Sequence, residues 1–334
     1  MDNMINLAIA GCGKHAANFH LPSLKRLNKI YRIIGLFDVN LSQSKALSKK
    51  NKINKIYKSY REMLTDKNVD VINICSPAKF HSKQIIEAIK ADKDVMVEKP
   101  MVLKSSDLKK IIKINSKKKR KILCLQQQNF RHETQNLLKF FKINRKKIGK
   151  INFIHGKAHV KIPDQVNSSF TNKKISGGGP LIDQGSHIIG LVVNIMKYPI
   201  ISKIKSFIFK RKNYYNKNTI FNVENAACLD VLFKNQTRFL FETSYNKKKI
   251  NDFQIDFYFK DGSINWPSLK YNFKKKIKIK KIYKVNSKLL ASDTQFKHFY
   301  DIVKLKKKPI TSLINSLYLI KLIEDSYKKS KLIK

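Results

Sequence analysis

The first 125 residues alternate short apolar runs with amphipathic stretches, the pattern of strands joined by crossover helices. Residues 5–10 predict a buried strand, 16–27 a helix, and 33–37 a second strand that ends at Asp38. A weaker strand is expected near 53–57, followed by a short helix around 60–64. Residues 69–75 predict a buried strand, and 81–91 a helix with Ile85, Ile86 and Ile89 on one side. Strands at 95–97 and 122–125 flank a helix at 108–114. Six strands with intervening helices predict a doubly wound, parallel α/β sheet of Rossmann type over residues 1–125.

After about residue 126 the texture changes. Helices are expected at 132–142 and 180–195, with strands at 151–160, 204–210, 226–233, 237–244 and 253–259. A last strand pair is expected within 263–283, where the stretch 273–283 alternates Ile with Lys, as an edge strand does to discourage pairing. Two helices, near 292–304 and 312–329, close the chain. Residues 126–334 therefore predict an α+β domain with a large, mostly antiparallel open sheet. No Pro/Gly/Ser-rich linker separates the halves, so a broad interface and a cleft between them are expected. A large sheet with one open face needs a cover, which predicts a homo-oligomer, dimer or tetramer, built through that sheet.

Bulk composition agrees with two cores: the chain has 334 residues and is 42% hydrophobic. It contains no apolar run of membrane-spanning length. Ile9-Ala10-Gly11-Cys12 resembles a lipoprotein cleavage box, but Asp2 precedes it and no basic n-region does, so the stretch reads as a strand and the cytoplasm is the expected location. The four cysteines are widely spaced, with no metal-ligand pairing, and read as reduced packing thiols; no metal is expected. A net charge of +47 would point to nucleic acid or an anionic membrane. The excess is almost all Lys, spread along the chain, and accompanies abundant Ile, Asn, Phe and Tyr, residues that A/T-rich codons favour. A solvated basic surface accounts for it, and no specific nucleic-acid or membrane partner is expected.

The chemistry sits in a few short motifs. Gly11-Cys12-Gly13-Lys14-His15-Ala16 follows the first strand and opens a helix. The first Gly permits a tight turn, the second lets a pyrophosphate approach the backbone, and Ala16 is small enough for close helix–strand packing. Asp38, 22 residues past Ala16, can accept hydrogen bonds from a ribose diol and would repel a 2′-phosphate, which favours NAD over NADP; it can also cap the next helix. Lys99 is placed at the end of a parallel strand, where such folds bind ligands, and a cis bond to Pro100 is plausible there. Its ammonium can stabilise negative charge on a hydroxyl or carbonyl oxygen. Asp183 and His187, four apart, share one face of a helix, and His187 can exchange a proton at neutral pH. Which of His187 and Lys99 handles that proton stays open.

Taken together, Ser76-Pro77 with His81, Glu98-Lys99-Pro100, and Gly177-Gly178-Gly179-Pro180 leading to Asp183 and His187 resemble the Gfo/Idh/MocA oxidoreductase family over nearly the whole chain. His20, Pro22 and the stretch 129–131 belong to the same likeness. The resemblance implies Lys99, Asp183 and His187 as the catalytic set. It implies cofactor contacts at Gly11, Gly13, Asp38, Ser76, His81 and Glu98, with Cys12, Lys14 and His15 of the loop, Pro77 and Lys99 beside them. Arg131 falls where the family places a substrate or cofactor contact. The sequence departs at Gly190, where an acidic residue is usual. The resemblance implies a nicotinamide-dependent oxidoreductase for a sugar, inositol or nucleotide-linked sugar. The alternatives are lyase or hydrolase chemistry assisted by NAD, and a non-catalytic cofactor-binding regulator.

Overall fold

The computed structural model describes residues 4–161, 169–210, 220–246, 252–280 and 289–333. In chain order it runs β1 (Ile5–Ala10), a π-helical turn (Ala16–His20), α1 (Leu21–Arg26), β2 (Tyr31–Phe37), α2 (Leu41–Asn51) and α3 (Tyr60–Thr65). It continues through β3 (Val71–Ile74), α4 (Ala78–Lys90), β4 (Asp94–Glu98), α5 (Ser105–Lys118) and β5 (Ile122–Leu125). There follow α6 (His132–Ile148), β6 (Phe153–Lys161), α7 (Lys173–Ser176), α8 (Pro180–Asp183) and α9 (Gly185–Ile195). Six strands come next: β7 (Ile201–Phe209), β8 (Ala226–Phe233), β9 (Arg238–Asn246), β10 (Asp252–Phe259), β11 (Gly262–Trp266) and β12 (Tyr271–Phe273). The chain closes with α10 (Ala291–Lys304), α11 (Leu313–Lys328) and β13 (Ser330–Ile333). No helix of the described residues is long and apolar enough to cross a membrane.

The residues pack into two compact units, 1–127 with 289–317, and 128–288 with 318–334. This differs from the single division expected at residues 125 and 126. The return of α10 to the first unit has a physical cause: Phe296 and Phe299 are fully buried in the core that holds Ile5, Leu7 and Leu24. Tyr31 donates its hydroxyl to the Phe296 carbonyl at 2.8 Å, and Arg26 forks onto both Asp293 oxygens at 2.9 and 2.7 Å. Each of these pairs spans more than 260 residues of sequence, so no local pattern announces it.

In the first unit a parallel sheet has the order β2-β1-β3-β4-β5. It has five strands where six were expected. The segment near 53–57 makes one isolated bridge, Leu36 to Ile56, because Asn54 and Lys55 face solvent and only Ile53 and Tyr57 are buried. β1 is buried along residues 7–10, with Leu7, Ala8, Ile9 and Ala10 all at 0% exposure, as that apolar run requires. β2 and β3 flank β1 on opposite sides, so the sheet reverses its order at the carboxyl ends of β1 and β3.

The second unit holds an eight-stranded mixed sheet, β12-β11-β10-β6-β9-β8-β7-β13. Most pairs are antiparallel, but β6–β9 and β7–β13 are parallel. One face carries Ile154, Ala158, Phe239, Phe241, Ile255 and Phe257, all buried, and α8 and α9 pack against the sheet. Lys157, Glu242 and Asp230 alternate with these residues and stay partly exposed. The expected edge strand at 273–283 stops at Phe273: the Lys274 amide turns back to the Asp261 carbonyl at 3.0 Å, and its ammonium pairs with the Asp261 carboxylate at 2.7 Å. Residues 281–283 of that expectation lie outside the described residues. β13 was not expected at all.

Candidate functional site

In the first unit the loop after β1 is set by the strand beside it. Gly11 has φ +99°, and a Cβ there would lie 2.6 Å from the Cys75 carbonyl carbon and the Ser76 nitrogen. Both obstacles are backbone, so only glycine fits. Gly13 is the opposite case, with nothing within 4 Å of its Cβ position. Its backbone therefore borders open space. Asp38 ties the next strand to this loop: Oδ2 accepts the Cys12 amide at 2.7 Å and Oδ1 the Asn40 amide at 2.8 Å. The N-cap of α2 is Asn40, so Asp38 is not the cap. Burial and the nearby Asp38 carboxylate push the Cys12 thiol up to about 12, which makes it an inert packing group. Lys14 and His15 are exposed on the loop.

Ser76 and Pro77 follow β3, with Pro77 as the N-cap of α4. His81, an expected cofactor contact, is 1% exposed, and both ring nitrogens face backbone. Nε2 lies 2.7 Å from the Ser76 carbonyl and Nδ1 2.9 Å from that of Pro100. Burial pushes its imidazole below the usual range, against the pull of those carbonyls. His81 therefore lies between the loop after β3 and the loop after β4, and its neutral ring donates its one N–H to one of the two carbonyls. Lys99 is half-buried at that second loop, its amide 3.1 Å from Glu98 Oε2 and its bond to Pro100 cis, as expected. Glu98 Oε1 lies 2.8 Å from His20 Nε2 and 3.2 Å from His15 Nε2. Burial alone would raise the Glu98 carboxyl, but the His15 and His20 imidazoles hold it well below its usual range.

In the second unit α8 ends at Asp183 and α9 starts at Gly185, while Gln184 between them keeps helical angles (φ −83°, ψ −32°). The four-residue spacing of Asp183 and His187 thus follows a nearly continuous helical path. The glycines before α8 answer close neighbours: a Cβ on Gly178 would run into the Tyr327 hydroxyl, and one on Gly179 into the Glu224 carbonyl. Glu224 Oε1 accepts the Leu181 amide at 3.2 Å and the Tyr327 hydroxyl at 2.6 Å, which fixes the first turn of α8. Burial raises the Glu224 carboxyl, with those donors acting the other way. Asp183 is 9% exposed, and its Oδ2 accepts Gln184 Nε2 at 2.6 Å and the Tyr245 hydroxyl at 2.9 Å. The His187 ring meets Phe253 edge-on at 6.2 Å. Gly190 lies buried in α9, where an acidic side chain would be desolvated.

Sequence reasoning missed Tyr245, Glu224 and Tyr327. The alternation along β9 puts Tyr245 on the buried face with Phe239, Phe241 and Thr243, and a tyrosine there needs a partner for its hydroxyl. Tyr245→Phe is expected to lower stability by about 1.5–3 kcal/mol, since it removes a buried hydrogen bond to a carboxylate. Urea unfolding reads this directly; an unmoved midpoint would mean the bond contributes nothing. Arg131 forks onto Glu133 at 3.1 and 2.9 Å and lies 5.3 Å over the Trp266 ring, so its guanidinium is oriented from two sides. A cavity of about 700 Å³ at the far end of α9, bordered by Phe141, Met196 and Phe259, includes none of these residues.

The comparisons with known proteins point one way. The oxidoreductase family model for an NAD-binding Rossmann fold matches residues 5–125, and the GFO/IDH/MocA C-terminal domain matches residues 142–265. The D-glucoside 3-dehydrogenase of Escherichia coli (strain K12) is 26% identical over 208 residues, covering 62% of this chain and 58% of that protein. The chain spans little more than half the length of the first curated relatives it matches, 58% and 55%. Solved structures share the fold across nearly all of both chains. KijD10, a 3-ketoreductase from Actinomadura kijaniata in complex with NADP and TDP-benzene, superposes with TM-score 0.84 at 13% identity, covering 99% of each chain. Levoglucosan dehydrogenase in complex with NADH and levoglucosan gives 0.83 at 13%, covering 97% of this chain and 96% of its own. With both halves matched by its two domain models, the chain belongs to the Gfo/Idh/MocA family of NAD-binding oxidoreductases.

Proposed function

We propose that this protein is a dehydrogenase or reductase that uses NAD(H) on a secondary alcohol or ketone of a sugar, inositol or nucleotide-linked sugar. The observation that carries the reading is the loop at the reversal of the first sheet, with Gly11 pressed onto the end of β3, Gly13 open, and Asp38 fastened to Cys12. Likeness to a glucoside dehydrogenase supports the substrate class. When bound, the nicotinamide accepts or supplies the hydride. Lys99 holds the substrate oxygen and stabilises the charge that develops on it. His187 takes or returns the hydroxyl proton, with Lys99 as its competitor for that role. Asp183, held by Tyr245 and Gln184, orients the hydroxyl, and Arg131 offers N–H groups to the rest of the substrate. The reading includes self-association through the sheet face of Lys157, Glu242 and Asp230.

A screen of sugars, inositols and nucleotide-sugars with NAD and NADP, followed by absorbance of the reduced cofactor, tests this. Turnover of at least one member is expected; silence across the screen, together with no dinucleotide binding, would overturn it. Relatives of this fold occur with NADP and with NADH, so kinship leaves the choice to Asp38. Each Asp38 oxygen keeps a lone pair for a ribose hydroxyl beyond its bond to the loop. Asp38→Ala is therefore expected to weaken both cofactors, because the Cys12 amide loses its acceptor, and to weaken NADH by about tenfold more than NADPH. Calorimetric titration measures the ratio, and an unchanged ratio removes the ribose role.

A further inference from the structure

The loop after β1 and the end of β4 bring together three side chains that the hydride chemistry does not require to be so close. His15, His20 and Glu98 each present one ligand atom, and these atoms all lie within 4.8 Å of one another. Two of the three separations are 2.8 and 3.2 Å, both measured to Glu98 Oε1. An ion with tetrahedral bonds of about 2.0–2.1 Å to nitrogen and oxygen sets its ligands about 3.3 Å apart, so two edges of such a tetrahedron are nearly in place.

The surroundings favour a metal ligand at His20. Its ring is 1% exposed, and Nδ1 is occupied from behind by Asn73 Nδ2 at 2.9 Å and Cys75 Sγ at 3.0 Å. That leaves Nε2 directed at Glu98. With the Asn73 amide turned over, its oxygen accepts an Nδ1–H and the ring offers Nε2 as a bare donor, the support that metal-bound imidazoles usually have. Glu98 is 12% exposed and His15 47%, so the cluster has a rigid inner wall and one side open to incoming ions and water. Two imidazoles and a carboxylate suit zinc and its neighbours in the first transition row, and match poorly the all-oxygen shells of magnesium and calcium.

We propose that His15, His20 and Glu98 form a binding site for a divalent transition-metal ion such as Zn²⁺, with its remaining coordination position open to solvent. The sequence conceals the site because the residues stand at positions 15, 20 and 98, outside any short ligand motif. The net charge of +47 repels cations in general, so tight binding here must come from the local ligands. His15 and Glu98 are also expected cofactor contacts, so metal uptake is measured on the chain without dinucleotide, and its failure leaves the dinucleotide reading untouched.

The test is calorimetric titration of Zn²⁺ into the full chain, without a histidine tag and freed of chelator, paired with Co²⁺ absorption spectra. One equivalent of Zn²⁺ and the intense visible bands of low-coordinate Co²⁺ are expected. His15→Ala, a surface change that leaves the fold intact, and the isosteric Glu98→Gln should each weaken Zn²⁺ by at least about tenfold. His155→Ala, on the other sheet, should bind as the parent does. Absence of Zn²⁺ uptake overturns the proposal, as does full affinity in both site variants or loss of binding in His155→Ala.

Discussion

Lys99→Ala is expected to lower turnover at least about a hundredfold, a loss of about 2.7–4 kcal/mol of transition-state stabilisation, while NADH still binds. Two backbone contacts at the loop do not involve the Lys99 side chain: the Lys99 amide lies against Glu98 Oε2 at 3.1 Å, and the Pro100 carbonyl lies 2.9 Å from His81 Nδ1. Deleting the side chain beyond Cβ removes the cation and keeps these backbone contacts. The measurement is kcat with the best substrate of the screen, alongside NADH affinity and thermal stability of the same variant. Near-normal kcat would refute the role of Lys99 in charge stabilisation. A melting temperature well below that of the parent would show instead that the side chain supports the loop.

Gly11→Ala is expected to cost several kcal/mol of stability and to abolish measurable dinucleotide binding. Two costs add there. A non-glycine residue at φ +99° carries backbone strain of about 1–3 kcal/mol. Forcing its methyl group to within 2.6 Å of the Cys75 and Ser76 backbone adds overpacking of about 1–3 kcal/mol, because two strand ends of one sheet cannot part freely. Gly13→Ala provides the contrast. Its methyl group meets nothing within 4 Å, so stability should hold, while NADH affinity should fall if, as proposed, the pyrophosphate approaches this backbone. Denaturant melts and calorimetry on the two variants separate the effects. A Gly11→Ala protein as stable as the parent would contradict the close approach, and a Gly13→Ala protein with parental NADH affinity would remove the phosphate cradle.

The parts legible in the sequence are those written in short periods. β1 was visible because a strand buried on both faces needs an apolar run, here residues 7–10, and Gly11, Gly13 and Asp38 because the turn and the strand end impose their spacing. The bridge at Leu36 and Ile56 shows the limit of that approach. A segment with β-favouring residues becomes a strand only if enough of it is buried, and Asn54 and Lys55 prevent that. The surroundings of His81 were not legible, because both its carbonyl neighbours come from loops that the tertiary fold brings to it.

By itself the sequence determined most of the strands and helices, the two sheet types and the positions of the glycine turns, which follow from periodicity and local backbone geometry acting over a few residues. The candidates Lys99, Asp183 and His187 came from short motifs and the family resemblance those motifs carry. Only the tertiary structure decided that α10 completes the first core, that Tyr245 and Glu224 hold Asp183 and the start of α8, and that His15 and His20 converge on one oxygen of Glu98. His20 stands 78 residues from Glu98, and Arg26 stands 267 from Asp293. Partners that distant are selected by how the cores pack, a property of the folded chain as a whole that no window of its sequence contains.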